Sequence, residues 1–159
     1  MSKDASGAAP SWTAKGSCLC GDVKFSLLPT SIPGIFKTVA HCHCSMCRKH
    51  TGAAFSTYGE VPAEAVVFEG EKEFPPCIVR YTAPENSTIR TFCINCGSNI
   101  MFESPYNHID GTVELAIALI DEFAEGISCT KSDCHIYVKY KAPWFDITDS
   151  LPQFEEYRE

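Results

Sequence analysis

Apolar and polar residues alternate in short runs along this chain, and no run reaches the length of a long amphipathic helix. "GSCLCGDVKFSLLP" (residues 16–29) alternates over Val23, Phe25 and Leu27, the period-two pattern of a strand with one buried face. "IFKTVAHCHC" reads as a second strand. "AAFSTYG", "AVVFEG" and "CIVRYTA" add three more short apolar runs. "STIRTFCINCGSNIMFES" predicts a hairpin turning at "INCGS". "TVELAIALI" and "CHIYVKY" are rich in β-branched and aromatic residues, which suit a pleated, half-buried surface. "SMCRKHTG" fits one short helical turn, with Ser45 as its cap and Gly52 as its stop. Gly16 and Gly21 are expected to permit tight turns beside the first cysteines. Together these signals predict a mainly β fold, a sandwich or partly open barrel with short helical turns.

Composition sharpens this picture. At 159 residues the chain is long enough for one hydrophobic core, and 45% hydrophobic against 21% charged residues is ordinary globular usage. Residues 1–15 read as a flexible N-terminal tail, and 16–159 as a single domain without internal repeats. The net charge of -7 and the lack of a Lys/Arg stripe weigh against direct nucleic-acid binding. No run approaches ~20 apolar residues, so no membrane span is expected. The opening residues lack the apolar segment of a signal peptide, which points to the cytoplasm, with the nucleus also open.

The ten cysteines change the picture most. In a chain without secretion signals, metal ligation is favoured over a disulfide framework. Cys18 and Cys20 form one C-x-C pair, and Cys93 and Cys96 form a C-x-x-C pair followed by glycine. Together they offer the four thiolates of a structural zinc site, which would pin the first strand to a late hairpin. The competing readings are a thioredoxin-like redox pair, which lacks its helix here, and inert buried cysteines. "AHCHCSMCRKHTG" (residues 40–52) adds Cys42, Cys44 and Cys47. Three thiolates with no fourth at motif spacing resemble a catalytic zinc with one open position. His41, His43, Cys77, Cys129 or Cys134 could instead close that shell through the fold, and a third reading has no stable metal there.

"GSCLCGDVKF", "HCHCSMCRKHTGAAF", "TFCINCGSNI" and "YVKYKAPWFDITDSLPQF" occur in one order from about Gly16 to Phe154. In these motifs the chain resembles the glutathione-dependent formaldehyde-activating enzyme family, which includes centromere protein V. The resemblance implies an Mss4-like, mostly β fold with two Zn2+ per chain. It places a structural zinc on Cys18, Cys20, Cys93 and Cys96, and the zinc assigned to catalysis on Cys42, Cys44 and Cys47. The activity it implies is that of a carbon–sulfur lyase interconverting S-(hydroxymethyl)glutathione with glutathione and formaldehyde.

Zinc suits that chemistry, because it lowers the pKa of a thiol taken as a ligand and stabilises a leaving thiolate. Three anionic thiolates weaken it as a Lewis acid, which favours thiolate activation over carbonyl polarisation. An anionic peptide such as glutathione needs local cations on an acidic protein. Arg48, Lys49 and Arg90 are the candidates, and the alternative for each is a solvated surface charge. His50 and Tyr58 follow the cluster and are candidates to move a proton or hydrogen-bond the adduct, against simple packing roles. Phe55 is expected in the core. Trp144, within "PWF", is a candidate pocket wall or a plain core corner. Two other functional readings stay open: a non-enzymatic zinc-stabilised interaction module, and a lyase acting on another thiol adduct. A homodimer is also left open.

Overall fold

The computed structural model describes residues 11–32, 34–70, 74–127 and 131–158. Eleven strands among them form two open sheets. The strands are β1 (Ala14–Ser17), β2 (Lys24–Leu27), β3 (Thr38–Cys42), β4 (Ser56–Pro62), β5 (Val66–Phe68), β6 (Ile78–Thr82), β7 (Ile89–Cys93), β8 (Asn99–Glu103), β9 (Thr112–Ala116), β10 (Ile120–Phe123) and β11 (Cys134–Ile136). Two short helices, α1 (Ser45–Thr51) and α2 (Pro105–Asp110), complete the regular structure with three 3₁₀ turns. The smaller sheet runs β10-β1-β2-β5 and the larger β11-β3-β4-β9-β8-β7-β6. This is the mainly β, partly open sandwich that the alternation predicts.

Alternation along the strands sorts side chains into two places. Val23, Phe25 and Leu27 from the small sheet meet Val39, Val61, Met101, Val113 and Leu115 from the large one in the main core. The next residues along, Ala40, Cys42, Tyr58 and Ala116, point to the opposite face of the large sheet. There they form a second buried cluster with Cys47 of α1 and with Cys134 and Ile136 of β11. The central cysteine motif therefore sits on the outer face of the large sheet.

Four local details differ from the sequence reading, each for a physical reason. Gly16 lies inside β1, not in a turn; a Cβ there would meet the Leu119 carbonyl at 2.3 Å and the Phe25 ring at 2.4 Å. "TVELAIALI" is not one strand: a 3₁₀ turn at Ile117–Leu119 separates β9 from β10, which belong to different sheets. Helix α2 escaped the periodicity because six residues are too few, although Ser104 caps it through a reciprocal bond with Asn107 and Gly111 ends it. Of the tail expected over residues 1–15, residues 1–10 lie outside the described residues, while Ala14 and Lys15 pair with both β2 and β10.

Candidate functional site

The first thiol cluster joins the two sheets. A turn after β1 presents Cys18 and Cys20, with Gly21 at φ +82°. The β7–β8 hairpin presents Cys93 and Cys96, with Gly97 at φ +74°. Their four sulfurs lie within 4.8 Å of one another. Cys18 and Cys20 are 3.5 Å apart and Cys20 and Cys93 are 3.8 Å apart, close to the edge of about 3.8 Å that a zinc–sulfur tetrahedron requires. The backbone N–H of Val23 donates to the Cys18 sulfur at 3.3 Å. Ser98 lies 3.3 Å from the Cys96 sulfur and draws that thiol down to about 6. Around the thiols, the Leu19 N–H donates to Ser98 and the Asn95 amide donates to Asp22, so polar bonds fasten the same two turns.

The second cluster forms where β3 ends and α1 begins. Cys42 closes the strand, Cys44 is the N-cap of the helix and Cys47 lies in its first turn. Their three sulfurs also lie within 4.8 Å of one another, a donor set that fits a zinc ion with one position left over. Cys44, not Ser45, is the cap: its sulfur accepts the Cys47 N–H at 3.3 Å. The hydrogen bonds from its two neighbouring thiols, together with this cap, hold the Cys44 thiol well below its ordinary range, while Cys42 is pushed up. Cys42 and Cys47 are buried, whereas Cys44 is half-buried, so the cluster faces solvent on the Cys44 side.

None of the described alternative ligands completes this shell. His41 and His43 turn away, as alternation along β3 demands, and stack with His135. His43 Nε2 and His135 Nδ1 are 2.8 Å apart, and His135 Nε2 is 3.0 Å from the Asp149 carboxylate. Burial, then the neighbouring His135, pushes His43 down to about 4. Cys134 is buried nearby, but its sulfur accepts a bond from Arg158. Cys77 lies beside the β7–β8 hairpin, where its carbonyl accepts the Ile94 N–H. Cys129 lies outside the described residues.

The residues proposed to bind substrate separate into three groups. Arg48 and Lys49 lie in α1 with Cys47; Lys49 is exposed and Arg48 half-buried. Arg90 is only 3% exposed, packs over the Phe102 ring and donates to Thr88, so it is not a surface cation. Its charge opposes only in part the rise that the Cys44 thiol and burial impose on Cys47. His50 and Tyr58 are joined through one residue that the sequence did not flag, Asn99. The Asn99 carbonyl oxygen is 3.1 Å from His50 Nε2, and its amide donates to the Tyr58 hydroxyl at 2.7 Å. Burial, then the charge of Cys47, raises the Tyr58 phenol. Trp144 is 70% exposed and packs on Phe145, whose ring faces His43 and Phe55. Phe55 is half-buried in this same group, outside both core clusters. Two cavities, of about 300 Å³ beside Arg80 and Met101 and about 440 Å³ beside Pro29 and Pro62, lie away from the thiols.

Among the described residues no helix is long and apolar enough to cross a membrane. No curated protein matches the chain. Its fold is similar to the crystal structure of a Rhodobacter sphaeroides protein, with a TM-score of 0.50 and 19% identity over 72% of this chain and 90% of that one. Residues 13–140 match the family described as glutathione-dependent formaldehyde-activating enzyme, which spans both thiol clusters, and the chain belongs to that family.

Proposed function

We propose that the protein is a zinc-dependent carbon–sulfur lyase that interconverts S-(hydroxymethyl)glutathione with glutathione and formaldehyde. The observation that carries this reading is the three-thiol cluster, which is open on the Cys44 side and has no fourth described ligand. Cys42, Cys44 and Cys47 would hold the catalytic ion, and Cys18, Cys20, Cys93 and Cys96 a structural one. Zinc at the open site would stabilise the thiolate form of a small thiol.

The chain supplies the remaining parts. Lys49 and Arg48 put positive charge on the helix beside the opening, where glutathione carboxylates would lie. Arg90, buried behind Cys47, balances the negative charge of the thiols and does not reach for substrate. Asn99 fixes the His50 ring and the Tyr58 hydroxyl in one hydrogen-bonded row, which holds the wall of the site. A glutathione substrate suits a cytoplasmic location.

Thiols add to formaldehyde unaided, so only acceleration above that background counts. NMR exchange spectroscopy on glutathione, formaldehyde and their adduct at equilibrium measures it without a coupling enzyme. The wild type should accelerate exchange, and Cys44→Ser should match buffer. Wild type and variant both matching buffer would exclude this substrate.

A further inference from the structure

Tyr137 is one of two described non-glycine residues with positive φ, at φ 58° and ψ 34°. A tyrosine pays for the left-handed conformation with a Cβ clash that glycine escapes. Here the surroundings impose it: the Tyr137 N–H donates to the Glu156 carbonyl and its own carbonyl accepts from Tyr140, both at 3.0 Å.

The consequence lies in where the ring goes. In β11, His135 faces the histidine stack, and Ile136 faces the thiol cluster opposite Cys42. Continued alternation would send residue 137 back to the histidine side. The left-handed turn cancels one step, and Tyr137 packs against the same thiol-containing cluster as Ile136. A phenol, with an ordinary pKa of about 10, keeps its proton at neutral pH.

The two tyrosines at this site are not equivalent. Tyr58 is 4% exposed and its hydroxyl already accepts from Asn99. Tyr137 is half-buried, as Cys44 is, and both pack at the edge of the buried cluster that holds Cys42 and Cys47. A partly exposed phenol is thus held at the rim of the thiol cluster, where Cys44 also lies, by a strained backbone.

We propose that Tyr137 is a catalytic residue whose O–H donates a hydrogen bond to the oxygen of the hydroxymethyl adduct. This rests on the lyase reading above. As the thiolate attacks formaldehyde, the S–C bond forms and the C=O π pair moves onto oxygen. The phenol stabilises that oxyanion without giving up its proton, and water supplies the proton that completes the hydroxyl. In reverse, water takes the hydroxyl proton, C=O re-forms and sulfur leaves as thiolate. Preorganised donors of this kind act on charge that develops only in the transition state.

The test uses Tyr137→Phe in the zinc-loaded full chain, which keeps the ring and the backbone strain. Its melting temperature and zinc content should equal those of the wild type. Exchange above background should fall about tenfold or more, in kcat more than in KM. Binding gives a second readout, by calorimetry with S-(2-hydroxyethyl)glutathione and the near-isosteric S-propylglutathione. The wild type should prefer the hydroxylated ligand roughly fivefold, and Tyr137→Phe should bind the two equally. Wild-type acceleration retained in full by Tyr137→Phe would overturn the proposal while leaving the lyase reading intact. Equal wild-type affinities for the two ligands would overturn it without any variant. A wild type that matches buffer would remove the lyase reading first.

Discussion

Four sulfurs meet between two turns at one end of the sandwich, and three meet at the N-terminus of α1 on the outer sheet face. The first group ties β1 and β2 of the small sheet to β7 and β8 of the large one. The second lies within the large sheet and its helix, where β3, β4 and α1 are already neighbours in sequence and in space. An ion in the four-thiol cluster would add a long-range cross-link and satisfy every coordination position. An ion in the three-thiol cluster would add little to chain topology and leave one position free. Similar ligands can therefore serve the fold in one place and chemistry in the other, depending on what the surrounding strands already hold together.

The largest effect should appear when each cluster loses one thiol. Cys93→Ser removes a fully buried sulfur from the cross-link between sheets. Binding energy at a structural zinc is folding energy, so a loss of roughly 5 kcal/mol or more is expected, or about 10–20 °C in Tm. Cys44→Ser removes a half-buried sulfur at a helix cap whose hydroxyl can still accept the Cys47 N–H. Its Tm should change by less than about 3 °C. Thermal melts followed by circular dichroism compare the two directly. Equal losses would make both clusters structural.

A smaller change away from both clusters sharpens the baseline for those melts. Glu114 stands opposite Glu60 across β4 and β9, and burial, then the charge of Glu60, raises its carboxyl from 4.5 to about 7. The folded state then binds more protons than the unfolded one between about pH 4.5 and 7, so this group's contribution falls as pH rises through that window. Glu114→Gln should raise Tm by about 2–4 °C at pH 8 and leave it nearly unchanged at pH 4.5. The same increment at both pH values would show that the gain is not electrostatic.

Much of this division was legible in the sequence because cysteine spacing and strand alternation are local signals. Val23, Phe25 and Leu27 announced β2, and "CINCG" announced its hairpin. Other features depend on contacts between distant segments. Nothing in "CHIYVKY" signals that Tyr137 adopts a left-handed backbone, because Glu156 and Tyr140 impose it through the fold. Asn99 looks like an ordinary strand residue until β8 brings it between His50 and Tyr58. Arg90 resembled a surface cation because sequence cannot show that Phe102 and Thr88 enclose it. Trp144 suggested a pocket wall through its neighbours Pro143 and Phe145, yet the chain turns its ring outward.

The contrast between a closed and an open cluster is most directly tested by zinc K-edge X-ray absorption on protein carrying two zinc ions per chain. One complete four-sulfur shell and one three-sulfur shell with a lighter fourth ligand average to about 3.5 sulfurs per zinc. Glutathione should raise that average to about 4 by placing its thiolate in the open position. In Cys44→Ser, which should keep only the four-thiol site, about 4 sulfurs are expected with or without glutathione. An average of about 4 sulfurs in the wild type before glutathione is added, unchanged afterwards, would mean that both shells are closed and would contradict the account.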